Sequence, residues 1–127
     1  MEKHILLVDD SSTMRSSACF CLRKAGYRVT EAVDGQDGLE KLQSMKDKGE
    51  FLSLIITDVN MPEMDGISFI RNVKETEFKF VPMLAMTTET GEYVIRKGRA
   101  AGASGWLLKP FQPEQLLRAV KKVVWPR

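Results

Sequence analysis

Five side chains with useful chemistry stand where apolar, strand-like runs end. Asp9 and Asp10 follow the first run, and Asp58 follows the third. Thr87 closes the fourth run, and Lys109 follows the fifth. In an open parallel α/β sheet, ligands bind outside the carboxyl ends of the strands. We therefore expect three carboxylates, a hydroxyl and an ammonium group to meet at one rim of a sheet.

The three carboxylates are the most demanding part of this set. Two like charges about 4 Å apart repel by roughly 4 kcal/mol at an effective dielectric near 20. Such a cluster either keeps one acid protonated or binds a cation. The ligand set favours Mg²⁺, which uses one or two carboxylates with waters and a phosphate oxygen, and Mn²⁺ would accept the same ligands. Calcium prefers a denser cage, and no segment has EF-hand spacing.

With its charge neutralised, Asp58 has the chemistry of a phosphoacceptor. Carboxylates form aspartyl phosphates, and phosphoryl transfer needs charge neutralisation on the equatorial oxygens more than covalent assistance. The metal, the Lys109 ammonium and the Thr87 hydroxyl would each take one of these oxygens. The pattern predicts Mg²⁺-dependent phosphorylation of Asp58.

Each of these residues has an ordinary structural interpretation when it is taken alone. Asp9 and Asp10 would cap a helix, and Asp58 would be a turn aspartate. Thr87 would be a β-branched strand residue, and Lys109 would be a solvated lysine. Their coincidence at successive strand ends of one topology is what favours the functional interpretation.

Short apolar runs alternate with helical patterns along the chain. The predicted strands are His4–Val8, Arg28–Ala32, Leu54–Thr57, Met83–Thr87 and Gly105–Leu108. The first helix is predicted to turn inward Met14, Ala18, Cys21, Leu22 and Ala25, with a cap at Ser11, Ser12 or Thr13. Apolar residues at helical spacing predict further helices at Leu39 and Leu42, at Ile67, Ile70 and Val73, and at Leu116, Leu117, Val120, Val123 and Val124.

A fourth helix is predicted between Gly91 and Gly102, and it is the weakest of the five. Gly98 lies in its interior, where glycine costs about 1 kcal/mol relative to alanine. A marginal helix is a liability for stability and an asset for switching. Five β/α alternations imply a parallel sheet with helices on both faces. We expect a single domain over residues 1–127 and no output domain.

The composition excludes several other classes of protein. The chain has 127 residues, 43% of them hydrophobic, and a net charge of +2, which gives no reason to expect nucleic acid or an anionic membrane as partner. The first apolar run is too short for a signal peptide or a membrane span. Cys19 and Cys21 are poorly placed for a disulfide, because two residues apart on a helix point to different faces. We expect reduced thiols and a cytoplasmic location.

Taken together, the motifs resemble the response-regulator receiver family over essentially the whole chain. The matching segments are Val8-Asp9-Asp10, Asp58-Val59-Asn60-Met61-Pro62-Glu63-Met64-Asp65-Gly66, Thr87, Gly102-Ala103-Ser104-Gly105-Trp106 and Lys109-Pro110-Phe111. The resemblance is greatest to stand-alone members of the chemotaxis type. It implies an α/β, flavodoxin-like (βα)5 three-layer sandwich whose parallel five-stranded sheet has the strand order 2-1-3-4-5.

The resemblance also implies roles for individual residues. Asp58 would be the phosphorylation site, with metal ligands from Asp10, Asp58 and the backbone carbonyl of Asn60, and with Asp9 acting largely through water. Thr87 would shift toward the phosphate, and Lys109 would bind it. The same resemblance implies an aromatic switch residue at Trp106 and a cis peptide bond before Pro110.

Four positions set this chain apart or tune it within the family. The aromatic switch position usually holds tyrosine or phenylalanine, whereas the Trp106 indole is larger and lacks the hydroxyl. Thr88 fills a position that is often smaller, where a β-branched side chain would narrow access to the phosphate. Asn60 and Glu89 occupy the two positions that help set the lifetime of the phosphoryl group, and this pair is typical of a short-lived signal.

The implied function is a two-component switch acting on separate proteins. A histidine kinase would donate the phosphoryl group, and a target protein would bind the face formed by the fourth helix, fifth strand and fifth helix. We expect a monomer that catalyses only its own phosphorylation and dephosphorylation. Arg96, Lys97 and Arg99 on the fourth helix would either favour an acidic target or form a solvated basic face.

Three other functions fit parts of the pattern. A phosphatase of the haloacid-dehalogenase type also uses an aspartyl nucleophile, but it needs Asp-x-Asp where this chain has the adjacent pair Asp9-Asp10. A flavin- or nucleotide-binding flavodoxin-like protein would need a Gly-rich phosphate loop after the first strand, which is missing. A receiver-shaped module that is never phosphorylated would not need the intact acidic set.

Overall fold

The protein was analysed as a computed structural model, which describes residues 3–61, 64–88 and 92–124. Within these ranges, strands and helices alternate along the chain. The strands are β1 (His4–Val8), β2 (Arg28–Ala32), β3 (Leu54–Asp58), β4 (Met83–Thr87) and β5 (Gly105–Leu108). The helices are α1 (Ser12–Lys24), α2 (Gly35–Lys48), α3 (Gly66–Val73), α4 (Glu92–Ala101) and α5 (Pro113–Val123).

The five strands lie parallel in one sheet with the order β2-β1-β3-β4-β5. The predicted strand boundaries are confirmed, except that β3 continues one residue further, to Asp58. Asp58 pairs with Met86 of β4, so its backbone belongs to the sheet rather than to a loop. The predicted flavodoxin-like (βα)5 three-layer sandwich is therefore confirmed.

Alternating strand residues bury both faces of the sheet, as is usual when helices cover both sides. Ile5 and Leu7 of β1 face the layer formed by α1 and α5. Leu6 and Val8 face the layer formed by α2, α3 and α4. All four side chains are fully buried. The strand ends are thus supported by packed layers on both sides of the sheet.

The inner face of α1 is rotated from the predicted one. The buried residues of this helix are Ala18, Cys19 and Leu22. The prediction that Ala25 faces the core was wrong, since Ala25 is exposed, whereas Cys21 is half-buried and packs against the core as predicted. The stripe that packs on the sheet continues instead to Arg15, which lies three and four residues before Ala18 and Cys19. Because Arg15 is charged, the apolar pattern alone did not indicate the correct inner face of α1.

Capping side chains mark where helices begin. The Ser11 hydroxyl accepts a hydrogen bond from the Met14 N–H at 3.3 Å, which selects Ser11 among the three predicted caps. The Asp65 carboxylate accepts one from the Ser68 N–H at 2.9 Å. Pro113 is the first residue of α5, where its missing N–H is no loss. These caps satisfy backbone groups that a helix cannot satisfy itself.

Helix α1 carries both cysteines. Both thiols are free. Burial raises the pKa of the Cys19 thiol to about 11, so this thiol stays protonated at neutral pH.

None of the helices in the described ranges combines the length and hydrophobicity needed to cross a bilayer.

Candidate functional site

The strand order brings four chemically useful strand ends together. Strands β1, β3, β4 and β5 are consecutive neighbours, so the residues at their carboxyl ends share one rim. Asp9 and Asp10 directly follow β1, Asp58 and Thr87 close β3 and β4, and Lys109 follows β5. The structure therefore collects at one rim the five residues that the sequence pattern singled out.

The carboxylates of Asp9, Asp10 and Asp58 form a compact cluster. One oxygen from each lies within 4.8 Å of the other two. The Lys109 ammonium lies 3.1 Å from Oδ2 of Asp58 and 3.2 Å from Oδ2 of Asp9. At 4.8 Å, each pair of like charges repels by roughly 3–4 kcal/mol at an effective dielectric near 20. Among the residues that the structure describes, one ammonium group faces three carboxylates, which leaves two negative charges without a counterion at this rim.

This donor set fits a small divalent cation. All three groups offer oxygen atoms, which Mg²⁺ and similar hard ions prefer. The number of carboxylates is small, as expected for an ion that keeps several waters and binds a phosphate oxygen. The two positive charges of such an ion would balance the two uncompensated negative charges. The cluster therefore has both the ligands and the charge that Mg²⁺ requires.

Burial dominates the electrostatics of Asp58. The residue is 6% exposed, and loss of water raises the pKa of its carboxyl group above the usual value. The Lys109 ammonium opposes this shift, the Asp9 carboxylate adds to it, and a backbone hydrogen bond from Asn60 opposes it. A carboxylate held in this way gains strongly from any added cation.

Both carboxylate oxygens of Asp9 already have protein partners. Oδ1 accepts a hydrogen bond from the Ser11 N–H at 3.0 Å, and Oδ2 contacts the Lys109 ammonium. Asp9 is also buried, with 1% of its surface exposed, whereas Asp10 is exposed. Asp10 is therefore the more accessible of the two ligands, and Asp9 is the better anchored.

Gly66 allows α3 to begin directly against the backbone that carries Asp58. Its N–H donates to the Val59 carbonyl at 2.7 Å. A Cβ atom at this position would lie 2.1 Å from the Asp58 carbonyl oxygen and 2.7 Å from the Val59 Cα. Any side chain here would push α3 away from β3, the strand that ends at Asp58.

The other predicted site residues lie around this rim. Thr87 is fully buried, and its carbonyl accepts the Lys109 N–H at 2.7 Å. Asn60 and Thr88 are exposed. The peptide bond between Lys109 and Pro110 is cis. Glu89 lies outside the described residues, as do Pro62 and Glu63 of the matching segment.

Trp106 of β5 packs beneath α4, in a niche that exists because residue 98 is glycine. A Cβ atom on Gly98 would lie 2.3 Å from Cζ3 of the indole. The ring also packs against the core on the α2–α3–α4 side of the sheet. Its N–H is buried and has no hydrogen-bond partner within the described part of the chain. Gly98, the interior glycine that weakens α4, therefore leaves room for the Trp106 ring.

Arg15 is a residue near the site that sequence reasoning missed. Its Nη1 donates to the backbone carbonyl of Asp9 at 2.7 Å, and its Nε contacts Glu31 of β2 at 3.2 Å. Strand β2, whose end brings no obvious functional group, therefore reaches the acidic cluster indirectly. The sequence offered only a weak signal for this residue, an arginine five residues after an aspartate pair.

A doubly wound sheet with three carboxylates, a lysine and a threonine at one rim defines the receiver class of phosphoacceptor domains. The chain matches the response regulator receiver domain over residues 5–121, and it belongs to that family.

Similar proteins of known name support this assignment. Chemotaxis protein CheY1 of Helicobacter pylori is 37% identical over 122 residues, which cover 94% of this chain and 95% of that protein. Chemotaxis protein CheV3 of the same organism is 34% identical over 97% of this chain, but this chain spans only 41% of its length. The structure of CheY4 of Vibrio cholerae superposes with a TM-score of 0.90 at 41% identity, covering 98% of this chain and 100% of that one.

Proposed function

We propose that this protein is a phosphorylation-activated switch of a two-component system, with Asp58 as its phosphoacceptor. The observation that carries the proposal is the contact geometry of the rim. The oxygens of Asp9, Asp10 and Asp58 lie within 4.8 Å of one another, and the Lys109 ammonium contacts Asp58 at 3.1 Å. Family membership makes a kinase donor and a downstream target the expected partners.

In the proposed reaction, an Asp58 carboxylate oxygen attacks the phosphorus of a phosphohistidine on the kinase. The new O–P bond forms as the P–N bond breaks, and the electron pair leaves with the imidazole nitrogen. Lys109 is placed to neutralise one equatorial oxygen, and the Thr87 hydroxyl would bind another after a small movement. Asp58 is held by the sheet register, so the kinase must approach the rim from outside.

A bound Mg²⁺, or Mn²⁺ in its place, would neutralise the remaining charge on the transferred group. Asp10, Asp58 and the Asn60 backbone carbonyl would hold it, and Asp9 would act largely through water. The engaged oxygens of Asp9 support this division, because both already have protein partners. Asn60, Thr88 and Glu89 would set the lifetime of the phosphoryl group.

The switch would act on other proteins through the surface of α4, β5 and α5. Phosphorylation draws Thr87 and Lys109 toward the phosphate, and Trp106 packs into the space that is vacated. A target responds only if it binds one state better than the other. The named relatives suggest a chemotaxis-type target. We expect a cytoplasmic monomer that acts on no substrate other than its own aspartyl group.

The first test is stoichiometric phosphorylation. Incubation with Mg²⁺ and a small acyl phosphate should add one phosphoryl group by intact-mass spectrometry, and Asp58→Asn should abolish the addition. Asp47→Asn is the matched control, because Asp47 lies exposed on α2, away from the rim. Full labelling of the Asp58→Asn protein would move the site elsewhere. Turnover of a phosphate ester far above one equivalent would instead favour a phosphatase.

The second test follows the aromatic residue. Trp106 fluorescence, measured after Trp125 has been replaced by phenylalanine, should change on addition of Mg²⁺ or on phosphorylation. An emission spectrum that responds to neither would remove Trp106 from the switch while leaving the phosphoacceptor role of Asp58 intact.

A further inference from the structure

Arg15 is a cation in an unfavourable position. It ends the first turn of α1, near the helix terminus whose dipole disfavours positive charge. Its side chain is only 15% exposed, so the guanidinium group has lost most of its water. A buried cation is tolerated only when it is paired and hydrogen-bonded. The position of Arg15 therefore depends on the partners that it contacts.

Those partners come from two neighbouring strands. The Nε of Arg15 contacts Oε1 of Glu31 at 3.2 Å, and the Nη1 donates to the Asp9 carbonyl at 2.7 Å. Glu31 lies opposite Leu7 in the pairing of β2 with β1, and its other oxygen contacts Arg23 at 3.5 Å. The planar guanidinium thus ties β2 to the residue that directly follows β1.

The carbonyl that Arg15 holds belongs to the peptide plane leading into Asp10. Because this unit is planar, fixing its oxygen restricts the direction in which the Asp10 Cα leaves Asp9. The Asp9 N–H is held as well, by the Ala32 carbonyl at 3.1 Å. Asp10 itself is exposed, and no hydrogen bond or ion pair holds its carboxylate among the residues that the structure describes. Its backbone is the main restraint on where that carboxylate points.

We propose that Arg15 is a positioning residue for the divalent metal, orienting the Asp9–Asp10 peptide so that Asp10 presents its carboxylate to the ion. This inference rests on the proposed function, because it assumes that Asp10 is a metal ligand. Glu31 balances the charge of Arg15, so the guanidinium can orient the peptide without strongly opposing a nearby cation. Residues that orient metal ligands typically change metal affinity about 10- to 100-fold when they are replaced.

The direction in which Arg15→Gln changes the metal affinity distinguishes a positioning role from a purely electrostatic one. Arg15→Gln removes a positive charge near the acidic cluster, so a purely electrostatic role predicts tighter metal binding. Loss of positioning predicts weaker binding, by about 10-fold or more. Mn²⁺ titration followed by electron paramagnetic resonance, with Mg²⁺ competition, measures this affinity. Unfolding free energies without metal show whether each variant remains folded.

Arg15→Lys provides a second test that should preserve folding. Lysine keeps the charge but lacks the planar fork that reaches both Glu31 and Asp9, so it should also weaken Mn²⁺ binding. Arg23→Gln is the matched control, because it removes a guanidinium group from the same Glu31 carboxylate without touching Asp9. Its Mn²⁺ affinity should equal that of the wild type.

The outcomes distinguish the inference from the function on which it rests. If the wild-type protein binds no Mn²⁺, the proposed function fails. If it binds Mn²⁺ and Arg15→Gln binds it equally well or more tightly, only the positioning role of Arg15 is overturned. Unchanged affinity in Arg15→Lys, or a loss in Arg23→Gln as large as that in Arg15→Gln, would also overturn it.

Discussion

Replacing Gly98 by alanine should test how tightly α4 is coupled to Trp106. The added Cβ would lie 2.3 Å from Cζ3 and 3.0 Å from Cη2 of the indole. Carbon atoms in optimal contact are about 3.5–4.0 Å apart, so the shortest of these contacts is more than 1 Å too close. Either the indole leaves its niche or α4 moves away from the sheet.

Two effects of opposite sign set the size of the change. Alanine is favoured over glycine in a helix interior by about 1 kcal/mol. Overpacking a well-filled core costs about 1–3 kcal/mol. The single substitution should therefore lower the free energy of unfolding by up to about 2 kcal/mol. With Trp106 replaced by alanine, the steric term disappears and Gly98→Ala should stabilise the protein by about 1 kcal/mol.

A double-mutant cycle measures the coupling between the two residues. Urea unfolding followed by far-ultraviolet circular dichroism gives the four free energies without relying on tryptophan emission. The coupling energy should be about 1–3 kcal/mol, within the range known for residues in contact. In a protein lacking Trp125, Gly98→Ala should also shift the Trp106 emission to longer wavelength, because the indole becomes more hydrated.

A coupling energy below about 0.5 kcal/mol, as for residues that act independently, would refute this reasoning. It would mean that the indole does not occupy the niche beside Gly98 in solution. Equal stabilisation by Gly98→Ala in both backgrounds would lead to the same conclusion, because helix propensity alone would then account for the substitution.

Two further predictions concern the ends of the sheet. Burial, together with Arg28, lowers the pKa of His4, so folding favours the neutral ring, and stability should fall as the pH drops below 6.5. Between pH 7.5 and pH 5.5, urea unfolding should show a smaller loss of unfolding free energy for His4→Gln than for the wild type, and equal losses would contradict the prediction. The raised pKa of Asp58 acts with the opposite sign, but it contributes equally to both proteins and cancels in the comparison. Gly66→Ala should destabilise the fold by about 1–3 kcal/mol and lower Asp58 labelling, because its Cβ meets backbone. Gly105→Ala is the matched control, because its Cβ would meet only methyl groups of Val123 and Leu84, at 3.0 and 3.1 Å. It should leave Asp58 labelling unchanged, and an equal loss of labelling would contradict this account.

Most of the fold could be predicted because its signals are local. Strands β1, β3, β4 and β5 are short, mainly apolar runs, and the helices have apolar residues at helical spacing, so both patterns can be read directly. The boundaries of four strands agree with the structure. The extension of β3 to Asp58 could not be predicted, because a polar residue ends the apolar run while the backbone continues to pair with β4.

The composition of the rim could be predicted, but its internal contacts could not. The strand ends alone bring Asp9, Asp10 and Asp58 together. Which carboxylates share Lys109 depends on side-chain geometry that no spacing encodes. The accessibility difference between Asp9 and Asp10 likewise arises from the Ser11 N–H and the Lys109 ammonium, both of which engage Asp9.

Two residues that are unfavourable by local rules are explained by partners distant in sequence. Gly98 weakens a helix, and its justification is the Trp106 ring on β5. Arg15 breaks the apolar stripe of α1, and its partners lie on β2 and after β1. Proteins tend to break local rules at functional sites and to compensate elsewhere.

Both compensating contacts join a helix to the functional rim or to the aromatic residue beside it. An alanine at position 98 or a leucine at position 15 would satisfy local preferences better. Either substitution would remove a link between the rim and an adjacent helix, Trp106 to α4 in one case and Asp9 to α1 in the other. In this protein, residues that depart from local preferences therefore mark contacts between the helices and the rim that the strand-end motifs do not reveal.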